Sequence, residues 1–571
     1  MRKIYTLFFS CCLFLAANAQ WSDNTERNLE LSKAGSDDIV TVNNKTSGTV
    51  WTAFYSTNPV TFNYDMRVQL INHDGTKVFG DSGLVIGTKK SGTATFVFSA
   101  AVDESNNIYV AYQYQKGSGY NTLIQKVTPA GDLPWGKNGI DLGTGLSPYP
   151  AVLTNGEVVV AWNDNGVIAY QKLSQDGVKA WDPVKTITSS TGHTVTRAQV
   201  VANTNGLFSI VYQDLFAFPI YTNLFMQRFR NNGKPDWTAA KKISTLTTAA
   251  ARYYDVMADN DNVIVGYYGN PPLSNRFDAF VQVVNRNGSL PLGANGAAFS
   301  DYASDFDPYE QTINIAHDNG DLYAYAVCTF TNPDQTSSGI YAQKINLQNG
   351  KRLFGDTAKK LYPISKDLLA LTGGGLGHSK DGCLRFSFTD LQNRLYSGGF
   401  DEKGKYLTKD KYTILCPTIH AKLRFGFAYS PAVAAGESDE FVAVWQEDKG
   451  DGDRPYAQNI SCDGTIGQSK SNAVTAAGVQ EAKIATIADL KVYPNPATDK
   501  IYLTLNSASA TKLKIIISDA QGKIAYQAEQ MLNLNSNVIG INLQHLTAGM
   551  YFVRVSGNGV KDNTAKSFIK K

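Results

Sequence analysis

Residues Glu157–Trp181 read EVVVAWNDNGVIAYQKLSQDGVKAW. Val158 to Trp162 is a β-branched and aromatic run preceded by the tight polar turn Thr154-Asn155-Gly156, the pattern of a strand entered from a hairpin turn. A second strand with Gln171, a turn at Gly177 and the closing Trp181 complete the segment. Gln171 lies six residues before Gly177, and the same spacing joins Gln69 to Gly75, Gln125 to Gly131, Gln227 to Gly233, Gln282 to Gly288 and Gln458 to Gly464. Gln343 to Gly350 is one residue longer, and one unit keeps Gly404 but has Gly398 in place of glutamine. Four residues past the glycine stands Phe79, Trp135, Trp181, Trp237, Leu292 or Phe354. Successive anchors are 46 to 61 residues apart.

Self-similarity at this period points to a propeller or a solenoid. Each unit predicts four short antiparallel strands a to d, which matches one propeller blade. A unit of this size is too small to bury a core as a separate sandwich. The expected fold is therefore all-β: an eight-bladed propeller, or a seven-bladed one if the divergent seventh unit, opening Gly373-Gly374-Gly375, is not a blade. The glutamines recur once per unit between apolar residues, so a repeated hydrogen bond to backbone accounts for them.

Residues 1–19 read as a secretory signal peptide. Arg2 and Lys3 start it, Leu7 to Ala17 is apolar but too short to span a membrane, and Ala17-Asn18-Ala19 is a small-residue cleavage site. No later stretch is long and apolar enough to span. Without Arg2 and Lys3, 51 of the 53 basic residues face 50 acidic ones, a net charge of about +1. That balance gives no footprint for nucleic acid. Residues 20–474 form the expected propeller. Within it, Trp21 to Lys33 resembles the aromatic-plus-strand-d half of a unit, while the last unit has Gln468 where its aromatic belongs. Residues 21–33 are thus expected to close the last blade, leaving no free sheet edge.

Residues 475–488 lose the pattern and read as a linker. Residues 489–571 resume with short alternating strands, expected to form a small β-sandwich. Tyr493-Pro494-Asn495-Pro496-Ala497, the turn from Asp519 to Gly522, the run Leu546 to Val553 with Gly549 and Tyr551, and the ending Phe568-Ile569-Lys570-Lys571 occur in that order. This segment resembles the type A C-terminal sorting domain of substrates of the Bacteroidetes type IX secretion system. The resemblance implies passage through the periplasm and across the outer membrane to the cell surface or the medium. It also implies the translocon, a shuttle and a sortase as partners.

No catalytic motif is present: no GxSxG, HExxH or P-loop, and no Ser-x-Asp-x-Gly-x-x-Trp sialidase repeat. His73, His193, His317, His378 and His420 are scattered, each reading as a loop or turn side chain. No cofactor is expected. The run Glu447 to Asp453 spaces Asp448, Asp451 and Asp453 between glycines, as a calcium loop would, but carries Lys449 and lacks the full pattern; a solvated acidic turn is the simpler reading. The four cysteines after the signal, Cys328, Cys383, Cys416 and Cys462, show no CxxC, and Cys328 and Cys383 read as buried small side chains of neighbouring blades.

Binding residues are expected on the variable b–c loops, where aromatic rings sit beside amides: Tyr64, Tyr120, Phe216, Phe218, Tyr221 and Phe277. Together these features describe an exported binding protein with a glycan or protein ligand. A polysaccharide lyase or glycosidase on the same scaffold is the alternative; carboxylates, or Tyr with Arg, at the axial mouth would favour it. A structural subunit of a surface or gliding assembly is a third reading.

Overall fold

In the computed structural model the described residues are 21–467, except 59–62, 88–96, 218–220, 250–253, 271–275, 368–372, 409 and 434–436, and 488–571, except 508–510, 520–522, 533–534 and 558–564. The expected signal peptide and most of the expected linker lie outside them. The chain divides into two compact units, residues 1–472 and 473–571, and among the described residues no α-helix occurs.

The first unit is built from eight antiparallel sheets among its described residues. The third shows the plan: Leu146–Val152, Val158–Asp164, Val167–Leu173 and Lys185–Ile187 pair in chain order. The first strand of each sheet packs against the first strand of the next, and the strand of the eighth, Lys422–Ser430, packs against Ile39–Asn43 of the first. An apolar layer fills each gap between consecutive sheets. Between the third and fourth it holds Val159, Ala161, Phe208 and Ile210; between the eighth and first it holds Trp21, Leu31, Phe54, Val442 and Val444. Each sheet is buried on both faces, which explains strands such as VVVAW that are apolar throughout rather than alternating. The arrangement is propeller-like.

Both repeat signals are packing devices. The closing aromatic of one sheet lies over the glycine turn of the next. A β-carbon on Gly177 would stand 2.9 Å from the Trp135 ring, and one on Gly131 3.0 Å from Phe79. These glycines also hold φ near +84° and +90°, so space and backbone conformation both require glycine. The glutamine clamps the c–d crossing: Gln171 Nε2 donates to the Trp181 carbonyl at 2.6 Å, and its Oε1 accepts from Trp181 N at 3.1 Å and Lys172 N at 2.9 Å. In other units the same amide reaches the preceding sheet, Gln125 to the Ile86 carbonyl at 3.4 Å and Gln282 to that of Ile243 at 3.1 Å.

The ring is tied by its own N-terminus. Leu29–Glu30 pairs antiparallel with Asp453–Ser461 and is the fourth strand of the eighth sheet. Trp21 lies over Gly75 of the first sheet, where a β-carbon would come within 3.0 Å, and its indole N–H donates to the His73 carbonyl at 2.8 Å. Trp21 thus fills the place of the aromatic that Gln468 does not supply. Cys383 of the seventh sheet is bonded to Cys462 in a turn of the eighth, so it is not a plain buried side chain; Cys328 and Cys416 are free and buried.

The second unit is two sheets, one of Ala488–Tyr493, Lys500–Ser507 and Asn535–Asn542, the other of Ile524–Leu532, Thr511–Asp519, Gly549–Gly557 and Ala565–Lys570. Ile501, Leu503, Ile515, Ile517, Val553 and Phe568 pack in its core. The Tyr493–Ala497 motif holds the final strand. Asn495 Oδ1 accepts from Ile569 N at 2.9 Å, and Ala497 N donates to the Ile569 carbonyl at 2.8 Å. The bonds preceding Pro494 and Pro496 are cis. Tyr551 is buried, donates to the Thr547 carbonyl at 3.0 Å and stacks on Phe568. Asp519 caps its turn by accepting from Lys523 N at 2.9 Å; Gly522 lies outside the described residues.

Candidate functional site

The seventh sheet breaks the repeat, and a cleft opens beside it. Gly398 takes the glutamine position because Phe386 fills the space: a β-carbon there would stand 2.5 Å from the ring. Gly399 is likewise crowded, with the Arg385 guanidinium 3.0 Å from its hypothetical β-carbon. Among the described residues no glutamine amide links this sheet to the sixth. The Tyr406 hydroxyl does so instead, donating to the carbonyls of Lys360 at 2.8 Å and Leu361 at 2.9 Å.

Outward from that link, a cavity of about 340 Å³ lies between the last strand of the sixth sheet, Lys359–Ser365, and the outer strands of the seventh, Leu395–Asp401 and Tyr412–Cys416. Four rings form its walls. Tyr396 meets the Tyr412 ring edge-on at 5.2 Å and stacks on Phe388 at 5.4 Å, while Tyr362 stands 6.1 Å from Tyr412. Tyr412 is 37% exposed, a ring left open to the cavity. At the b–c end, Arg394 Nε donates to Asp390 Oδ2 at 2.7 Å, and the Tyr396 hydroxyl donates to the same oxygen at 3.0 Å. Burial pushes the Asp390 carboxyl upward, but the bonds from Arg394 and Tyr396 outweigh it and hold the group below the usual carboxylate range. Burial first, then the bond to Asp390, pushes the Tyr396 phenol up to about 12. Asp367, bonded to Ser365 Oγ at 3.1 Å, stands on the opposite wall. Flat apolar surface flanked by fixed polar groups is a small-ligand geometry. Asp390 is held by Arg394 and Tyr396, and Asp367 is a second carboxylate on the cleft wall.

The rings singled out from sequence lie elsewhere. Tyr64 is half-buried edge-on to Tyr55 at 6.5 Å, and Phe277 packs edge-on to Tyr268 at 6.1 Å. Tyr120 is half-buried on the second sheet. Phe216 and Tyr221 are exposed on either side of one hairpin of the fourth sheet, Phe216 beside the His193 ring at 6.2 Å. Phe218 lies outside the described residues. These rings are spread over the first, second, fourth and fifth sheets, and none lines the cleft. The signal that could have found the cleft is the density of aromatics around the unmatched Gly398-Gly399: Phe386, Phe388, Tyr396 and Tyr412 within one unit.

In the acidic run, Asp448 Oδ1 accepts from Gly450 N at 2.7 Å and Gly452 N at 3.0 Å, closing its own turn. Asp451 faces Arg454 at 3.7 Å, and Asp453 lies in the strand that Leu29–Glu30 joins. Among the described residues no three His, Cys, Asp or Glu side chains converge as metal ligands. Glu447, the first residue of the run, is fully buried; it accepts from Trp445 Nε1 at 2.9 Å and pairs with buried Lys422 at 3.2 Å. That network fixes the crossing from the seventh sheet to the eighth.

Among curated proteins no sequence matches the chain. Solved structures similar to it include a polysaccharide lyase described as PL25-ulvanlyase, 8% identical with a TM-score of 0.40 over 76% of this chain and 96% of that one. The β-propeller domain of the trilobed protease from Pyrococcus furiosus is 10% identical, with a TM-score of 0.35 over 68% and 100%. An endo-arabinase from Bacteroides thetaiotaomicron is 15% identical, with a TM-score of 0.26 over 44% and 95%. Residues 491–571 match the secretion system C-terminal sorting domain family. With the motif residues pinned around the final strand, the second unit is a type IX C-terminal sorting domain, and the chain that carries it is directed across the outer membrane to the cell surface or the medium.

Proposed function

We propose that the propeller is the working part of an exported carbohydrate-binding protein, and that the cleft between the sixth and seventh sheets holds the sugar. The observation that carries this reading is the open Tyr412 ring beside Tyr362 and Tyr396, with Asp390 and Arg394 fixed at one end. A pyranose has an apolar face that packs on a ring and an edge of hydroxyls that needs directional partners. The cavity volume suits one or two sugar residues. The sorting domain would deliver this site to the outside, where polysaccharides are met.

The test is a glycan array probed with the mature protein, followed by titration of every hit against Tyr412→Ala. Loss of that ring removes one stacking platform and should weaken binding roughly tenfold or more, with the melting temperature little changed. A hit unaffected by Tyr412→Ala moves the site elsewhere; an array without hits removes the function.

A further inference from the structure

A second site lies at the opposite ends of the sheets, where the tight a–b turns converge near the ring axis. A cavity of about 350 Å³ is lined by Lys45 of the first sheet, Asp318 of the sixth, His378 and Lys380 of the seventh, and Tyr429 and Pro431 of the eighth. Lys45 Nζ comes within 3.5 Å of Asp318 Oδ1. The seventh and eighth sheets stand between those two residues in the ring, so the lysine reaches across the inner ends of both.

The groups here are held in place but not neutralised. His378 is buried, with Nδ1 2.8 Å from Asp318 Oδ2 and Nε2 3.3 Å from Glu402 Oε1. The Tyr429 hydroxyl donates to Asp439 Oδ2 at 2.6 Å. Lys45 and Lys380 are 60% and 63% exposed, and their nearest carboxylates are 3.5 and 3.8 Å away. The Lys45–Asp318 contact joins two exposed groups and contributes little; Lys380 is exposed but its partner Asp439 is buried and also takes the Tyr429 hydroxyl, so both ammonium groups still face the cavity. Pro431 and the Tyr429 ring supply an apolar wall, and Asp318 supplies an acceptor.

We propose that this pocket binds a carboxylate-bearing sugar, a uronate residue of an acidic polysaccharide. The carboxylate would lie between Lys45 and Lys380, a ring hydroxyl would donate to Asp318, and the sugar face would rest on Pro431 and Tyr429. An inorganic anion would leave the apolar wall and Asp318 unused. A neutral sugar would add no charge to the long contacts that Lys45 and Lys380 make with Asp318 and Asp439, at 3.5 and 3.8 Å. The inference does not rest on the aromatic cleft, because the two sites share no residue.

The test is calorimetric titration of the mature protein with oligosaccharides of polygalacturonate, alginate and glucuronan, beside their carboxyl-reduced neutral counterparts. At least one acidic series should bind, its neutral counterpart at least tenfold more weakly. Lys45→Ala and Lys380→Ala should each weaken binding about tenfold, the worth of one charge-assisted hydrogen bond, and Tyr412→Ala should leave it unchanged. Both lysines are exposed, and an unchanged melting temperature confirms that the variants fold. Four results would overturn the proposal: no acidic series binding, equal binding of a neutral counterpart, no effect of the double lysine variant, or acetate competing as tightly as the sugar. Loss of uronate binding in Tyr412→Ala alone would instead assign the acidic sugar to the cleft.

Discussion

The third and seventh sheets are built on one plan and differ in what joins them to their neighbours. In the third, Gln171 holds the c–d crossing through three hydrogen bonds, and Trp181 covers Gly233 of the fourth sheet. In the seventh, Phe386 stands where the glutamine would reach, Tyr406 carries the link to the sixth sheet, and Thr408 occupies the aromatic position, against Gly464 of the eighth. In the regular third unit the Trp181 ring fills the space over the turn of the next sheet. The irregular one exchanges an amide for rings, and rings of unequal shape leave a gap. In a scaffold whose repeats are fixed by mutual packing, a unit that departs from the repeat can open an apolar, ring-walled cavity.

The comparison can be broken most forcefully by restoring the repeat. Gly398→Gln places a β-carbon 2.5 Å from the Phe386 ring. It should lower the unfolding free energy by about 3 kcal/mol through overpacking and abolish binding in the cleft. A variant of undiminished stability, measured by chemical denaturation, would show that Phe386 yields easily and that the glycine is not required. The converse change, Gln171→Ala, leaves the Trp181 carbonyl and two backbone N–H groups short of a partner. It should cost about 2 kcal/mol without touching sugar binding. A cost below 0.5 kcal/mol by the same measurement, on the order of a surface substitution, would reduce the glutamine to a bystander.

The smallest effect separates the two b–c turns by pH. Asp390 has its carboxyl held below the usual range. An acid with a depressed folded-state value stabilises the fold above its unfolded value, near 3.8, and loses that contribution as pH falls through the folded value. Because Arg394 is 39% exposed, solvent screening limits the pair to about 1 kcal/mol. The stability gap between the protein and Asp390→Asn should therefore be present at pH 6 and shrink as pH falls below 3.8 through the depressed folded-state value. A gap that persists in acid would mean that Asp390 contributes packing rather than charge.

The repeat was legible because packing requires it. Glutamine and glycine recur at fixed spacing since one clamps a crossing and the other admits a ring from the preceding sheet. Trp21 was legible for the same reason, an aromatic out of place at one end matching one missing at the other. The sorting motif was legible because Asn495 and Ala497 bond to the final strand across more than seventy residues, which fixes their order along the chain. The cleft was not, because its walls come from two units: Tyr362 ends one repeat and Tyr412 ends the next. Tyr64 and Phe277 occupy loop-flanking positions but pack against Tyr55 and Tyr268 of the paired strand in their own sheets, a contact that the strand pattern alone does not show. The pairing of Cys383 with Cys462 was hidden too, since 79 residues separate them and only the ring brings them together.

The seam at Leu29–Glu30 has a consequence for biogenesis. Leu29–Glu30 precedes the other described strands of the ring, yet it pairs with Asp453–Ser461, the last of them in chain order. An emerging chain cannot lock itself shut early, however many sheets have already formed. Closure of the ring therefore needs the strand that stands just ahead of the sorting unit in the chain.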